Sequence, residues 1–471
     1  MVGIVAYGVY VPLYRLGTET KGWSGRGEKA IANFDEDSVT MAVAAVMNCL
    51  AGRDHSRVDG LYFASTTAPY HEGPTTAMIA TAGDLRRDIV TTDCANSLKS
   101  GITALKMAVD AIKSGSAKQV MVVAADLRIP VINSAMEPLL GDGAVAFLLS
   151  DTDVAVSIED SYSVSDEILD VWREQGSNSI RFWEDRFNID MGYMRILPEA
   201  VSGLMQKTGL TPQDFARAVF YAPDARRHSE MGKKLGLSPK QVQDGMFNLL
   251  GNTGAAFPLM MLTSALEEAH AGDRLLLAGY GNGANAISLR ATDNIDRIKS
   301  QRTLAKYVAS KRILSDYLKY ASWRDLIKSA DPARRPPDDI PSPANIYRSR
   351  DRNIRFYGVK CQTCGTPLYP PVRVCTNCQT KDNFEPYRFS DKKCTLFTYS
   401  YDFIGRTKDP PVIIAYVDFE GGGRARLMMA DGDIDQLKPG MPLEMTFRKL
   451  YTDVREGIHD YYWKCTPVRI P

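Results

Sequence analysis

A chain of 471 residues, 44% apolar and 24% charged, has the composition of a globular protein and is too long for one ordinary core, so two or three domains are expected. Its 57 basic and 56 acidic side chains balance, which removes the electrostatic case for nucleic acid or an anionic membrane as partner and leaves room only for a local basic groove that takes a phosphorylated cofactor. Met1 to Pro12 lacks the basic start and unbroken apolar core of a secretory signal, no later run reaches membrane-spanning length, and cytoplasm is the default compartment.

In chain order, Val2 to Val11 reads as an opening strand, and Asp37-Ser38 caps a helix whose face includes Val39, Val43, Val46 and Leu50. Val58 to Ser65 is a second strand, and Thr66 to Pro74, with Pro69, Gly73 and Pro74, is a loop. Ile89 to Thr92 is a β-branched run expected to be a buried strand, and from Leu98 the apolar positions Ile102, Leu105, Val109 and Ile112 follow at helical spacing. Cys94 is therefore expected in a strand-to-helix turn, where the positive end of the helix dipole favours thiolate and hence a nucleophile. The alternative is a buried structural cysteine.

Gln119 to Ala125 is a further strand, and Gly141-Asp142-Gly143 leads into the apolar run Ala144 to Leu149. Strands alternating with amphipathic helices indicate an α/β layered fold. A second half echoes the first: strand Ala216 to Tyr221, helix Asp224 to Leu235, a turn at Gly251-Asn252-Thr253-Gly254, helix Phe257 to His270, strand Arg274 to Ala278. Read as a diverged duplication, the pattern puts Cys94 and Asn252 at corresponding turns, although Asn252 also suits a plain turn.

From about Asp293 the chain turns basic and then proline-rich through Pro332, Pro336, Pro337, Pro341 and Pro343, a composition that predicts a linker over 293–350 with a helix between Gln301 and Leu326. Next come Cys361-Gln-Thr-Cys364 and Cys375-Thr-Asn-Cys378, four of the eight cysteines. Two such pairs can close a tetrahedron of thiolates on Zn²⁺, with Gly365 allowing backbone amides to approach the sulfurs, and four protein ligands make the site structural. A zinc ribbon over 351–385 is expected. Short strands at Lys393 to Asp402, Val412 to Phe419, Ala425 to Ala430, Leu443 to Leu450 and Tyr461 to Pro467 then predict a small barrel over 386–471, without an evident basic and aromatic stripe.

Taken together, residues 1–292 resemble the thiolase superfamily, and most closely its hydroxymethylglutaryl-CoA synthase-like branch. The resemblance rests on Met1-Val-Gly-Ile-Val-Ala-Tyr-Gly8 with Tyr10-Val-Pro12, Asp35-Glu-Asp-Ser-Val-Thr-Met-Ala42, Cys94, Asp170-Val-Trp-Arg173, Gly251-Asn252-Thr253 and Gly279-Tyr-Gly-Asn-Gly283, in that order. The tail from about residue 350 resembles a rubredoxin-like zinc ribbon plus OB-fold module. The resemblance implies a five-layer α/β/α/β/α domain of two similar halves, a homodimer through that domain, and a CoA thioester reaching a buried site. It implies Cys94 as acyl acceptor, since thioester exchange onto sulfur is nearly isoenergetic, and Asn252 with a backbone amide as oxyanion donors.

The chain departs from the synthase pattern at two positions. Ser65-Thr66-Thr67 stands where the synthases carry a catalytic glutamate, and Tyr221, in Phe220-Tyr221-Ala222-Pro223, stands where they carry a histidine. His71, Glu72 and His228 lie near these segments but not at the motif positions, and His71 and Glu72 are expected in solvent. The sequence thus points to an acyl-CoA C-acyltransferase of thiolase or condensing type with Cys94, Tyr221 and Asn252 as catalytic residues. The alternatives are aldolase-type cleavage of a 3-hydroxyacyl-CoA, in which a tyrosine transfers the proton and no acyl-cysteine forms, and a non-catalytic acyl-CoA-binding or assembly protein.

Overall fold

The computed structural model describes residues 1–73, 75–174, 176–183, 185–300, 302–327, 342–405, 407–453 and 456–470. Prolines 332, 336, 337 and 341 of the expected linker lie outside the described residues. The chain divides into two compact units, the first made of 1–33, 37–80 and 85–324, the second of 34–36, 81–84 and 325–471.

The first unit is built on strands β1 (Gly3–Tyr10), β2 (Gly60–Ser65), β3 (Val90–Ala95), β4 (Gln119–Asp126), β5 (Gly143–Ser150), β6 (Val156–Ser165), β7 (Arg217–Phe220), β8 (Arg274–Tyr280) and β9 (Gly283–Ala291). Their order across the sheet is β7-β8-β9-β6-β1-β5-β4-β2-β3. The sheet is two matching halves joined by the antiparallel pairs Gly3↔Ser157 and Ile4↔Val156. Outward from this junction the first half runs antiparallel, antiparallel, parallel, parallel through β5, β4, β2 and β3. The second repeats it through β9, β8, β7 and a parallel bridge from Ala218 to Val242. The duplication expected from the sequence is present in topology.

Helices fill the layers in the way the apolar spacing requires. Helix α1 (Ser38–Cys49) starts at Asp37, which forms a capping box with Thr40, and buries Val39, Val43 and Val46 against the first half-sheet. Helices α2 (Ser100–Lys113) and α3 (Phe257–Glu268) lie between the half-sheets: α2 packs on β2 and β4, a Cβ on Gly279 of β8 would meet Ile102 at 2.6 Å, and α3 touches β5, β7 and β8. Helices over Met194–Thr208 and Ala225–Lys234 complete the second half, the latter being the helix expected over Asp224 to Leu235, with Asp224 as its N-cap. This is the five-layer α/β/α/β/α arrangement.

Three expectations are corrected. The Ile89 to Thr92 strand is not buried: among the described residues β3 is the edge strand, paired only to β2, and Val90 is 63% exposed. Cys94 lies inside β3, six residues before Ser100 opens α2, so it is not in the turn and gains little from that helix dipole. The stretch after Asp293 is not a linker as far as Arg324. It holds two short helices, Leu304–Ala309 and Tyr317–Trp323, separated by strand Arg312–Ile313, and belongs to the first unit. Arg312 N donates to Leu13 O at 2.9 Å, Leu314 N to Arg15 O at 2.8 Å, and Leu304, Tyr307, Tyr320 and Trp323 are buried.

The second unit contains a three-stranded ribbon (Tyr357–Cys361, Pro367–Leu368, Phe384–Arg388) and a closed five-stranded barrel: Cys394–Asp402, Val412–Phe419, Arg424–Met429, Pro442–Asp453 and Ile458–Pro467. Each strand expected in the barrel is present. Within this unit a buried charge cluster joins Asp35 and Glu36 to Arg448 at 3.2 and 3.0 Å, Asp35 to Lys464 at 2.9 Å, and Asp431 to Arg448 at 2.5 Å. Burial pushes the Asp35 carboxyl up, but Lys464 and Arg448 outweigh it and hold it below the ordinary 3.8. A depressed folded pKa gives stability that is present above that ordinary value and is lost as pH falls through and below it. Asp35→Asn should cost about 3–5 kcal/mol, because it leaves two buried cations short of a partner. Denaturant unfolding followed on the second unit should show this loss at pH 7 and a weaker acid sensitivity than wild type.

Candidate active site

The site forms at the carboxyl ends of β2, β4 and β7, where open α/β sheets offer their chemistry. Its anchor is Asp126, the last residue of β4 and fully buried. Oδ1 accepts from Ser65 Oγ (2.9 Å), Thr66 N (2.7 Å) and Thr67 Oγ1 (3.0 Å), and Oδ2 accepts from Thr66 Oγ1 (3.0 Å) and Ala255 N (2.8 Å). One carboxylate thus fixes the Thr66 loop of the first half and the Asn252 turn of the second. Gly254 makes this possible: its φ is +65°, and a Cβ there would sit 2.2 Å from Asp126 Oδ2 and 2.8 Å from Arg128 Cδ.

Asn252 is 1% exposed and tied at both ends of its amide, Nδ2 donating to Ala222 O at 3.0 Å and Oδ1 accepting from Gly254 N at 2.9 Å. One N–H remains on the amide, and Asn252 acts on the neighbouring Tyr221 phenol by favouring its ionised form. Tyr221 follows β7 and is buried in an aromatic cluster, with ring centroids 6.2 Å from Tyr193, Tyr280 and Phe257. Tyr193 Oη donates to Tyr221 O at 2.9 Å. Burial pushes the Tyr221 phenol above its ordinary range; Arg128 and Asn252 pull it down, and Asp170 and Asp224 push it up. Burial likewise raises the Asp170 carboxyl, with Arg128 opposing.

The structure brings Tyr221 and Asn252 together but does not add Cys94 to their hydrogen bonds. Cys94 pairs with Ala64 across β2 and β3, at the edge of the loop that Asp126 holds. Its thiol is half-buried, and burial together with the charge of Asp93 pushes its pKa up. Asp93 accepts from Thr75 N and Thr76 N at 2.9 Å each and from the Thr76 hydroxyl. The other cysteine of this unit, Cys49, is core, pushed up to about 12 by burial. His228 is half-buried, its ring 4.6 Å from the Phe220 ring and its pKa lowered to about 4 by burial, whereas His71 and Glu72 are exposed.

Asp126 and Arg128 were not expected as site residues. An acid ending the Gln119 to Ala125 run, and a lone basic residue inside Leu127-Arg-Ile-Pro130, were the available signals. Asp126→Asn should loosen both segments at once, costing roughly 2–3 kcal/mol and lowering kcat more than it raises KM. Thermal unfolding and steady-state kinetics on the same preparation check both effects.

The metal centre lies in the second unit. The four Sγ atoms of Cys361, Cys364, Cys375 and Cys378 fall within 4.8 Å of one another. Gly365 (φ +74°) and Gln379 (φ +63°) close equivalent turns, donating to Cys361 O at 2.8 Å and Cys375 O at 3.0 Å. Four convergent thiols with no free coordination position fit a structural Zn²⁺. Purified protein should carry one zinc per chain, and chelation should unfold the ribbon while leaving the first unit intact, as elemental analysis and limited proteolysis would show.

A sheet of two matched halves with α2 and α3 between them, and a site at its carboxyl ends, defines a thiolase-like condensing-enzyme fold. Comparison with known proteins agrees. Residues 92–166 match the 3-oxoacyl-[acyl-carrier-protein] synthase III family, 205–290 its C-terminal counterpart, and 349–385 the ChsH2 rubredoxin-like zinc ribbon. The hydroxymethylglutaryl-CoA synthase of Methanocaldococcus jannaschii is 30% identical over 345 residues, covering 70% of this chain and 100% of that protein. The chain belongs to the hydroxymethylglutaryl-CoA synthase family, and so to the acyl-CoA-dependent condensing acyltransferases. Among solved structures, MvaS in complex with 3-hydroxy-3-methylglutaryl coenzyme A shares the fold with a TM-score of 0.61 and 22% identity, over 71% of this chain and 94% of that one. The 3-oxoacyl-[acyl-carrier-protein] synthase III of Aquifex aeolicus does so with 0.56 and 22%, over 62% and 100%.

Proposed function

We propose that this protein makes or cleaves a carbon-carbon bond next to a CoA thioester, with Tyr221 as the proton-transfer residue and Cys94 as the acyl acceptor. The observation that carries the reading is the Tyr221 phenol, buried beside Asn252 and under the influence of Arg128 at the point where both halves of the fold meet. A phenol there can protonate an alkoxide as the bond forms, and in the reverse direction its phenolate form takes that proton back as the bond breaks. Cys94 is supported by exclusion within the first unit: it is the thiol beside the Thr66 loop, and Cys49 is sealed in the core. The free edge of β3 supports a homodimer formed by pairing with a second copy, which sedimentation would show.

Aldolase-type cleavage of a 3-hydroxyacyl-CoA is the second reading. The position of Cys94 within β3 and its raised thiol pKa favour it, because that route needs the tyrosine and no acyl-cysteine. Intact-mass measurement after exposure to a panel of acyl-CoAs separates the two. The acyltransferase reading expects an adduct of the acyl mass that disappears in Cys94→Ala together with turnover. Full turnover by Cys94→Ala selects the aldolase.

Neither route restores the synthase reaction of the relatives. Thr66 cannot ionise near neutral pH, its hydroxyl is committed to Asp126, and a phenol raised by burial is a poor base. Each missing proton-transfer group costs on the order of a hundredfold in rate. Acyl exchange or 3-oxoacyl-CoA thiolysis should therefore outrun condensation of acetyl-CoA with acetoacetyl-CoA, and efficient hydroxymethylglutaryl-CoA formation in a steady-state assay would refute this.

A further inference from the structure

Arg128 lies between β4 and the short strand Ile129–Pro130, is 4% exposed, and keeps its backbone in place by donating N–H to Asp142 Oδ1 at 2.9 Å. Its side chain runs against Gly254, so it enters the same turn that carries Asn252. Nε is buried without a hydrogen-bond partner, and among the described residues no carboxylate closes to ion-pair distance on the guanidinium. The Arg128 charge lowers the Asp170 carboxyl pKa against the rise from burial, and no ion pair joins the two among the described residues. A guanidinium cannot shed its proton to relieve burial, so an unpaired one carries a cost of several kcal/mol unless an anion joins it in the working state. Its charge also acts on the Tyr221 phenol, favouring the phenolate.

We propose that Arg128 is a catalytic residue of this site, whose guanidinium binds the oxygen that becomes negatively charged beside Tyr221 during carbon-carbon bond chemistry. The inference rests on the acyl-CoA reading above and adds the group that stabilises the charge. When the bond forms, the enolate carbon of the donor thioester attacks the acceptor carbonyl and supplies the pair for the new C–C bond, the C=O π pair moves onto oxygen, and the Tyr221 proton passes to that oxygen. The charge is then on the phenolate, until a proton returns. When the bond breaks, the phenolate takes the hydroxyl proton, the C–C electron pair leaves as the enolate, and the carbonyl is restored. In either direction one anionic oxygen sits at Tyr221. Asn252 offers it a single N–H, since the rest of its amide is used by Ala222 and Gly254. A preformed cation at that point needs no reorganisation as the charge develops.

The test compares binding of two CoA thioethers to the full chain by calorimetry: S-carboxymethyl-CoA, which places an anionic oxygen near the acyl position, and its neutral isostere S-carbamoylmethyl-CoA. Wild type should prefer the anion by about tenfold or more, Arg128→Gln should reduce the preference to within about twofold, and Arg128→Lys, which keeps charge but not the fork, should retain part of it. On turned-over substrates Arg128→Gln should lower kcat with KM little changed. Equal binding of both analogues by wild type overturns the proposal and leaves the acyl-CoA reading standing. Binding of neither analogue by folded wild type overturns the acyl-CoA reading, and the proposal with it.

Discussion

The active-site region of this protein depends on one carboxylate. Asp126 accepts five hydrogen bonds, four from Ser65-Thr66-Thr67 and one from Ala255, and these donors come from opposite halves of a duplicated fold. A buried carboxylate is costly unless it is satisfied by donors, and here the donors are the two segments that must be held for chemistry. The interaction therefore works in both directions: the loops compensate the charge, and the charge fixes the loops. Gly254 is the local requirement, because any side chain there would occupy the space of the carboxylate oxygen.

Around this anchor the balance of charge decides what the site can do. Burial makes the Tyr221 phenol reluctant to ionise, and Asp170 and Asp224 reinforce that, whereas Arg128 and Asn252 oppose it. On the proposed function this balance suits Tyr221 to give its proton to a developing alkoxide, with Arg128 and Asn252 favouring the phenolate left behind. A histidine at this position would titrate near neutrality and act as a base; a phenol in this setting shifts the work toward acid catalysis and toward stabilisation by the neighbouring cation. Cys94 stands apart from that balance, at the edge strand, with its thiol raised by burial and by Asp93.

Much of this was legible in the sequence where the signal is local. The helix cap at Asp37, the turn at Gly251-Asn252, the barrel strands and the paired cysteines each depend on residues a few positions apart. The failures have a common cause. Ile89 to Thr92 has the composition of a buried strand, but exposure depends on whether a neighbour pairs on the far side, which only topology decides. The turn after β3 lies at Asn96, held at φ +68°, and the helical spacing from Leu98 drew the expected turn too close to Cys94. Between Asp293 and Arg324 abundant lysine and arginine concealed the buried Leu304, Tyr307 and Trp323. Asp126 was invisible because its partners are 60 and 129 positions away, beyond any local pattern.

The central claim is that the chemistry runs through the Tyr221 hydroxyl. Removing that oxygen alone, as Tyr221→Phe, tests it most directly, since the ring keeps its packing against Tyr193, Tyr280 and Phe257. The account predicts a fall in kcat of about a hundredfold or more on whichever acyl-CoA the wild type turns over, with an unchanged melting temperature and an unchanged affinity for CoA. A Tyr221→Phe enzyme that keeps the wild-type kcat would contradict it.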